Sequence, residues 1–486
     1  MAGNYIDYLI IILFLIVITT VGIIAGEKQK SIKDYFLGSK EIPWWAACFS
    51  IVATETSTLT FISIPGLAYL TNLNFLQVTF GYLIGRIIVA FVFLPAYNKN
   101  ELKTAYTYLE KRFGGKTRSF ASITFLFTRL AADGVRLFAT AIPLKFLLNI
   151  NYPTAIIIIA VVALIYTYIG GVKGVIWTDI IQMFIYLGGA IISAIFILHL
   201  LPGGWEKILS SVSSAGKLNI IHLGFDKGIS GFFSQPYTLI GGLLGGAFLS
   251  MASHGTDQLI VQRLLTTKSL KDSQIAIIGS GVIVIIQMTI FMTLGVLLFA
   301  YYGPLKVKSD EIFPMFIINV LPHGLRGIIV AGLFSAALGT LSGSISSLAS
   351  STMLDLYIPF FGKKDDDKKQ LRISRLFTLM WAVLLVFSAM CFINISRSVV
   401  ELALSITSFT YGGLLGTFLL GIFFKKARQE DALAGFMASI FIMITVISLG
   451  LAAWTWYTLI GVTATILIGG ILTGLSEKST NDQLHV

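Results

Sequence analysis

Ser50-Ile51-Val52-Ala53-Thr54-Glu55-Thr56-Ser57-Thr58-Leu59-Thr60-Phe61-Ile62-Ser63-Ile64-Pro65-Gly66 lies inside an apolar run from about Ile42 to Leu70. At roughly 20 residues per span, that run is long enough to cross a bilayer. Its middle, Thr54 to Thr60, carries five hydroxyls and one carboxylate. Hydrocarbon cannot satisfy such groups, so they face protein or a water-filled cavity. Serine and threonine also loosen a helix by bonding to its backbone, and Pro65-Gly66 follows as a breaker. The stretch reads as a span interrupted at mid-depth. Its exposed carbonyls and hydroxyls suit an ion beside a small polar solute. Polar glue between helices uses the same hydroxyls; the presence of Glu55 favours the site.

The surroundings agree. Of 486 residues, 56% are hydrophobic and only 12% charged, with a mean hydropathy of +0.85. Soluble domains carry about 25% charged residues, so the chain is expected to be an all-α polytopic membrane protein. The net charge of +11 does not point to nucleic acid, because the basic residues cluster in short loops between apolar runs. Cys48 and Cys391 both lie in apolar runs, with no disulfide framework or metal-ligand spacing. The first run, Ile6 to Ala25, has no basic segment before it and reads as a retained span, not a leader.

Apolar runs fall at about 5–26, 42–70, 73–97, 119–148, 154–170, 174–201, 237–255, 274–302, 325–354, 375–395, 401–424, 431–450 and 454–475. That predicts about thirteen transmembrane helices, with the termini on opposite sides. Threaded in order, most of the 35 Lys and Arg fall on one side: Lys28 to Lys40, Lys99 to Arg118, Lys173, Arg263 to Lys271, Lys363 to Arg375, and Lys425 to Arg428. By the positive-inside rule that side is cytoplasmic. A multi-pass cell-membrane protein with its N-terminus outside and its C-terminus cytoplasmic is expected. The run Lys363-Lys364-Asp365-Asp366-Asp367-Lys368-Lys369 reads as a solvated inner loop.

Four more stretches carry polar groups into the spans. The seventh run holds Gly241-Gly242-Leu243-Leu244-Gly245-Gly246 and then Ser250 to Gly255. It reads as a second glycine-broken helix, five spans after the first, although glycines at helix contacts give the same composition. Gly170-Gly171 predicts a tight turn, followed by Thr178, Asp179 and Gln182, the last two on one face. The carboxylate needs a cation or a partner such as Lys173. Phe334 to Ser347 is a small-residue helix whose hydroxyls at 340, 344 and 347 share a face; it serves a sodium ion, which prefers oxygen ligands, or a packing seam equally well. Arg129, Asp133 and Arg136 recur at i, i+4 and i+7. They line a cavity or neutralise one another, and either Arg can clasp a carboxylate.

These residues together resemble the sodium:solute symporter family over roughly 30–440. The match is carried by Ala53–Pro65, Gly81-Tyr82…Gly85-Arg86, Gly170-Gly171…Trp177-Thr178-Asp179…Gln182, Thr256-Asp257-Gln258…Val261-Gln262-Arg263 and Phe334-Ser335-Ala336…Ser347. The resemblance implies the leucine-transporter (LeuT) fold. A leading helix over 1–26 would precede two inverted five-helix repeats over 27–424, two more helices over 425–475 and a tail over 476–486. It places the family's conserved sodium site on Ala53, Thr56 and Ala336 (carbonyls) with Gly339 and Thr340. The family usually has a hydroxyl where Gly339 stands. A possible second sodium site falls on Asp179 and Ser342, with a hydroxyl missing at Gly343. Substrate contacts fall on Glu55, Ser57, Thr60, Phe75 and Thr79. The arginine of sialic-acid relatives matches Ala132, which leaves Arg136 or Arg129 to substitute, and Glu55 could meet an amine.

The expectation is therefore sodium-coupled import of a small polar organic solute by alternating access, with a carboxylate, amino acid or sugar acid favoured. A sodium/sugar symporter and a proton-coupled symporter of the same fold are the alternatives. A channel would need a continuous polar lining, and a sensor would need an attached signalling domain. No catalytic cluster is present, so no enzyme activity is expected.

Overall fold

The computed structural model describes residues 2–26, 29–99, 102–148, 150–226, 228–362, 366–393 and 399–484. Lys28, Lys363, Lys364 and Asp365, of the loops expected to face the cytoplasm, lie outside the described residues. All regular structure among them is helical, apart from one isolated bridge between Ile42 and Thr267. The long elements are α1 (Ala2–Ala25), α2 (Trp44–Glu55), α3 (Thr58–Leu70), α4 (Leu76–Ile88), α5 (Gly115–Leu148), α6 (Tyr152–Leu200) and α7 (Leu239–Met251). After these come α8 (Gln258–Leu265), α9 (Leu270–Tyr302), α10 (Leu325–Ser351), α11 (Asp367–Cys391), α12 (Val399–Phe423), α13 (Gln429–Ser448) and α14 (Trp454–Leu484).

Eight described helices are long and apolar enough to cross a membrane, nine if α2 and α3 count as one bent span. The expected thirteen is not reached by that measure, for two reasons. α6 is a single 49-residue element, about 70 Å long at 1.5 Å per residue, or twice what one crossing needs. It turns at Gly171, whose φ of 54° and ψ of −154° are open to glycine and to little else. α5 carries Arg118, Arg129, Asp133 and Arg136, α7 has only 13 residues, and the apolar stretch found in α12 is the shorter Thr410–Phe423. α14 runs on to Leu484, into the tail expected over 476–486.

The first break falls inside the hydroxyl-rich stretch where it is expected. α2 stops at Glu55, Thr56 and Ser57 are extended, and α3 departs at 68°. Ser57 caps α3 by accepting from Thr60 N at 3.5 Å. Pro65 sits within α3 and does not interrupt it; the interruption is at Thr56-Ser57, which end α2. The second break is displaced. The glycines of 241–246 lie inside an intact α7, where a Cβ on Gly242 would press within 3.0 Å of Gln77 and Val78 on α4. They serve close packing. The chain departs from α-geometry at a π-helical turn over Ala252–Thr256, becomes extended at Asp257 and resumes as α8.

α10 is the central post, with 94% of its apolar window buried. It packs along α6 and touches both α2 and α8. α1 lies on α6 at glycines: a Cβ on Gly26 would land on the Gly170 backbone, and one on Gly170 would land on Gly22 O. Lys173, just past the turn, donates to Glu41 at 2.7 Å and not to Asp179. That bond holds the Glu41 carboxyl below the usual carboxylate range.

Candidate functional site

An α-helix leaves its last carbonyls without partners. The Thr56 N–H still reaches Val52 O at 3.2 Å, and beyond it the turn of α2 opens toward α10. Thr340 Oγ1 on α10 is 3.3 Å from Thr54 O and 3.1 Å from Ala336 O. Ala53 O stands 3.5 Å from the point a Cβ on Gly339 would occupy. Of the residues expected to hold sodium, Ala53, Ala336, Gly339 and Thr340 come together across the α2–α10 contact, joined by the unassigned Thr54 O. Oxygen donors of this kind suit a hard monovalent cation. The Thr56 hydroxyl is committed elsewhere: it donates to Val52 O at 2.7 Å and accepts from Gln287 Nε2 at 2.8 Å.

Asp179 faces the same contact from α6 and is fully buried. One of its oxygens, Oδ2, accepts from Ser50 Oγ at 2.5 Å, Thr54 Oγ1 at 3.2 Å and Arg263 Nη2 at 3.0 Å. Arg263 comes from α8, is also buried, and reaches Ser50 Oγ through Nε at 2.8 Å. The side-chain place vacant at Gly343 is bordered by Arg263 Nη2 at 2.8 Å. Ser342, assigned to the second ion with Asp179, donates to Gly339 O at 3.2 Å.

Glu55 is not presented as a free carboxylate to meet an amine. Its Oε2 is 2.5 Å from Arg86 Nη2 on α4 and 2.8 Å from His254 Nε2 at the second break. Arg86, fully buried, also donates to Ser280 Oγ on α9 at 2.7 Å. A lone buried guanidinium in a membrane is costly, and Glu55 neutralises it. The position with the most unusual charge in the opening stretch therefore ties α2 to α4 and to the second interrupted helix.

A small pocket beside the residues expected to hold sodium, with room for about one water molecule, is lined by Ser57, Asp133, Arg136, Thr140, Ala337 and Thr340 among others. Of the expected substrate contacts, Ser57 and Arg136 line it, while Glu55, Thr60, Phe75 and Thr79 do not. Phe75 packs edge-on against Tyr237 at 5.7 Å, and Thr79 Oγ1 donates to Phe75 O at 3.3 Å. The α5 stripe divides its labour. Arg129 is buried and bound to Asp257, to Tyr411 at 2.9 Å and to Asp133 at 3.4 Å. Asp133 also takes Ser344 Oγ at 2.6 Å and Arg136 Nη1 at 3.0 Å. Arg136 keeps a quarter of its side chain exposed.

Arg86, His254, Arg263 and Gln182 were not assigned from sequence. Arg86, Gln182 and Arg263 stood in the quoted motifs and His254 in the seventh run. The usable signal was charge balance: each buried cation in a span needs an anion, and Glu55 and Asp179 were the carboxylates without partners.

The sequence pattern of the Sodium:solute symporter family matches residues 35–439. The chain belongs to that family. It is 30% identical over 482 residues to the sodium/sialic acid symporter NanT of Aliivibrio fischeri, covering 98% of this chain and 94% of that one. It is 28% identical over 444 residues to the sodium/sialic acid symporter SiaT of Proteus mirabilis, covering 90% and 88%. The solved structure of a Na+-coupled sialic acid symporter in a substrate-bound outward-open state superposes with a TM-score of 0.88. It shares 28% identity and covers 97% of each chain. The fold is the LeuT type. As a member of this family the chain is a sodium-coupled solute symporter of the membrane and not an enzyme; sodium and a small solute are its partners.

Proposed function

We propose that this symporter carries a small organic carboxylate, with sugar acids the best-supported class, inward with sodium. The observation behind this reading is Arg136 on the wall of the cavity that also holds Ser57 and the sodium residue Thr340. Arg136 lies one helical turn beyond Ala132, on the same face, so a guanidinium reaches the solute from the next register. The other candidate, Arg129, is consumed by Asp257. Two relatives named as sialic acid symporters support a sugar acid. The partly buried Thr60 hydroxyl, 3.4 Å from Ser57 Oγ, and the buried Phe75 ring remain proposed contacts to the rest of the molecule.

Sodium at Ala53, Thr56, Ala336, Gly339 and Thr340 would clamp α2 to α10 and favour the state open to solute; closure follows when both are bound. One charge crossing 100 mV yields about 2.3 kcal/mol, and a tenfold sodium gradient adds about 1.4. Tight coupling to one ion then supports roughly a few hundred-fold accumulation. The loop charges support an external N-terminus and a cytoplasmic C-terminus. A core over 27–424, flanked by α1 and two added helices over 425–475, is the proposed division.

The test is uptake into proteoliposomes with sodium and proton gradients imposed separately, offering radiolabelled sialic acid, a hexose and an amino acid. Carboxylate uptake driven by sodium alone is expected. Uptake driven by a proton gradient without sodium, or of hexose in preference, would displace the reading.

A further inference from the structure

Charged side chains run without interruption from the solute pocket to the second break. Asp133 and Arg136 line the pocket, and Arg136 Nη1 lies 3.0 Å from Asp133 Oδ1. The same oxygen accepts from Arg129 Nη1 at 3.4 Å. Arg129 also holds Asp257 Oδ2, through Nε at 3.1 Å and through Nη2. Asp257 is the extended residue between the π-turn and α8, and its Oδ1 caps α8 by accepting from Leu259 N at 2.9 Å. Arg129, Asp133 and Asp257 are all buried. Arg129 is thus one cation between two carboxylates, one facing the solute and one holding the start of a half-helix.

As the chain stands, Arg129 and Arg136 balance Asp133 and Asp257. The pocket has room for about one water molecule, so a solute carboxylate reaches Arg136 only by taking it from Asp133. Asp133 is then left beside a second anion, and three anions share the two guanidinium groups. Such an imbalance is costly where the charges are buried. Arg129 lies between the competing carboxylates; drawn toward Asp133, it loosens its hold on Asp257. The neighbours support both positions. Ser344 Oγ donates to Asp133 Oδ2 at 2.6 Å. The Tyr411 hydroxyl accepts from Arg129 Nη2 at 2.9 Å and donates to Asp257 Oδ2 at 2.8 Å.

We propose that Asp133, Arg129 and Asp257 form a relay through which an occupied pocket releases α8, the half-helix on the proposed cytoplasmic side. Arg129 and Asp257 are positioning residues: neither lines the pocket. The relay rests on the carboxylate reading of Arg136 and assigns the regulation of that same site. A contact that solute must weaken opposes solute binding, and linkage is reciprocal. Weakening the Arg129–Asp257 contact in advance therefore tightens solute binding, whereas loss of a merely structural contact leaves affinity unchanged or lowers it.

The experiment measures equilibrium binding of sialic acid and of lactate to the purified full-length protein in NaCl. It also follows maleimide labelling of Leu264→Cys, at a buried position of α8, in a chain carrying Cys48→Ala and Cys391→Ser. In this parent a bound carboxylate should raise the labelling rate about fivefold or more. Asp257→Asn keeps a capping oxygen and removes the charge. It should label at the solute-bound rate without solute and bind the carboxylate about fivefold or more tighter. Tyr411→Phe removes a neutral support of Asp257 and should shift both readings the same way by about two- to threefold. Where Asp257→Asn does not fold, Tyr411→Phe decides. A carboxylate that binds the parent without changing its labelling, or an affinity unchanged or weakened in the variants that fold, overturns the relay and leaves the carboxylate reading intact. No binding of either carboxylate by the parent overturns both.

Discussion

His254 Nε2 stands 2.8 Å from Glu55 Oε2, so the two interrupted helices meet at their joints. Glu55 is the last helical residue of α2, and His254 lies in the π-turn before Asp257. Arg86 completes the contact at 2.5 Å. Replacing Glu55 by Gln leaves the Arg86 guanidinium buried without a counter-charge. The expected loss is about 3–5 kcal/mol, the usual consequence of stripping one partner from a buried pair. Thermal unfolding in detergent measures it. Glu55→Leu combined with Arg86→Met should lose less than Glu55→Leu alone.

Arg136 should carry solute affinity and little else. Its guanidinium lines the cavity, while Asp133 is held independently by Arg129 and Ser344. Arg136→Gln is expected to raise the KM for a carboxylate by roughly ten- to a hundredfold, the value of a charge-assisted contact. Sodium-dependent stabilisation without solute should be unchanged. Equal loss of both would place Arg136 in the ion site instead.

Thr340 bridges the open end of α2 to α10 through Thr54 O. Thr340→Ala should raise the sodium concentration for half-maximal uptake by about tenfold. Thr340→Ser should leave it within about twofold, because the oxygen is kept. Retained sodium activation in the alanine variant would misplace the clamp.

Gly171 occupies backbone space closed to other residues, at φ 54° and ψ −154°. Gly171→Ala should destabilise the protein by about 1–3 kcal/mol. Since the turn sets where Asp179 meets Arg263, sodium affinity should fall in the same variant. A stability change without an affinity change would separate turn from site.

Leu223, exposed in the 202–236 connection, tests orientation. In a chain whose exposed Cys391 is replaced by serine, a cysteine at 223 should react in intact cells with a membrane-impermeant maleimide. Labelling only after lysis would reverse the proposed topology.

Local features were legible in the sequence because they depend on neighbours in the chain. Thr54 to Thr60 announces an interruption, since hydroxyls in an apolar run must go somewhere. Gly170-Gly171 announces a turn because only glycine enters that region of backbone space. Pairings between distant segments were not legible. Glu55 finds Arg86 on α4 and His254 at the second break, and Asp179 finds Arg263 on α8 instead of nearby Lys173. The glycines of 241–246 misdirect for a related reason: a missing side chain signals close approach as well as bending, and the approaching Gln77 and Val78 lie far away in sequence.

At the joint between α1 and α6, Gly26 and Gly170 bring main chain against main chain with no side chain between. The two helices must therefore travel together whenever the scaffold tilts. A fluorophore at Tyr5, which projects near the N-terminal end of α1 at 72% exposure, would ride on that pair. It offers a gauge of the rocking motion placed at a distance from both cargo seats.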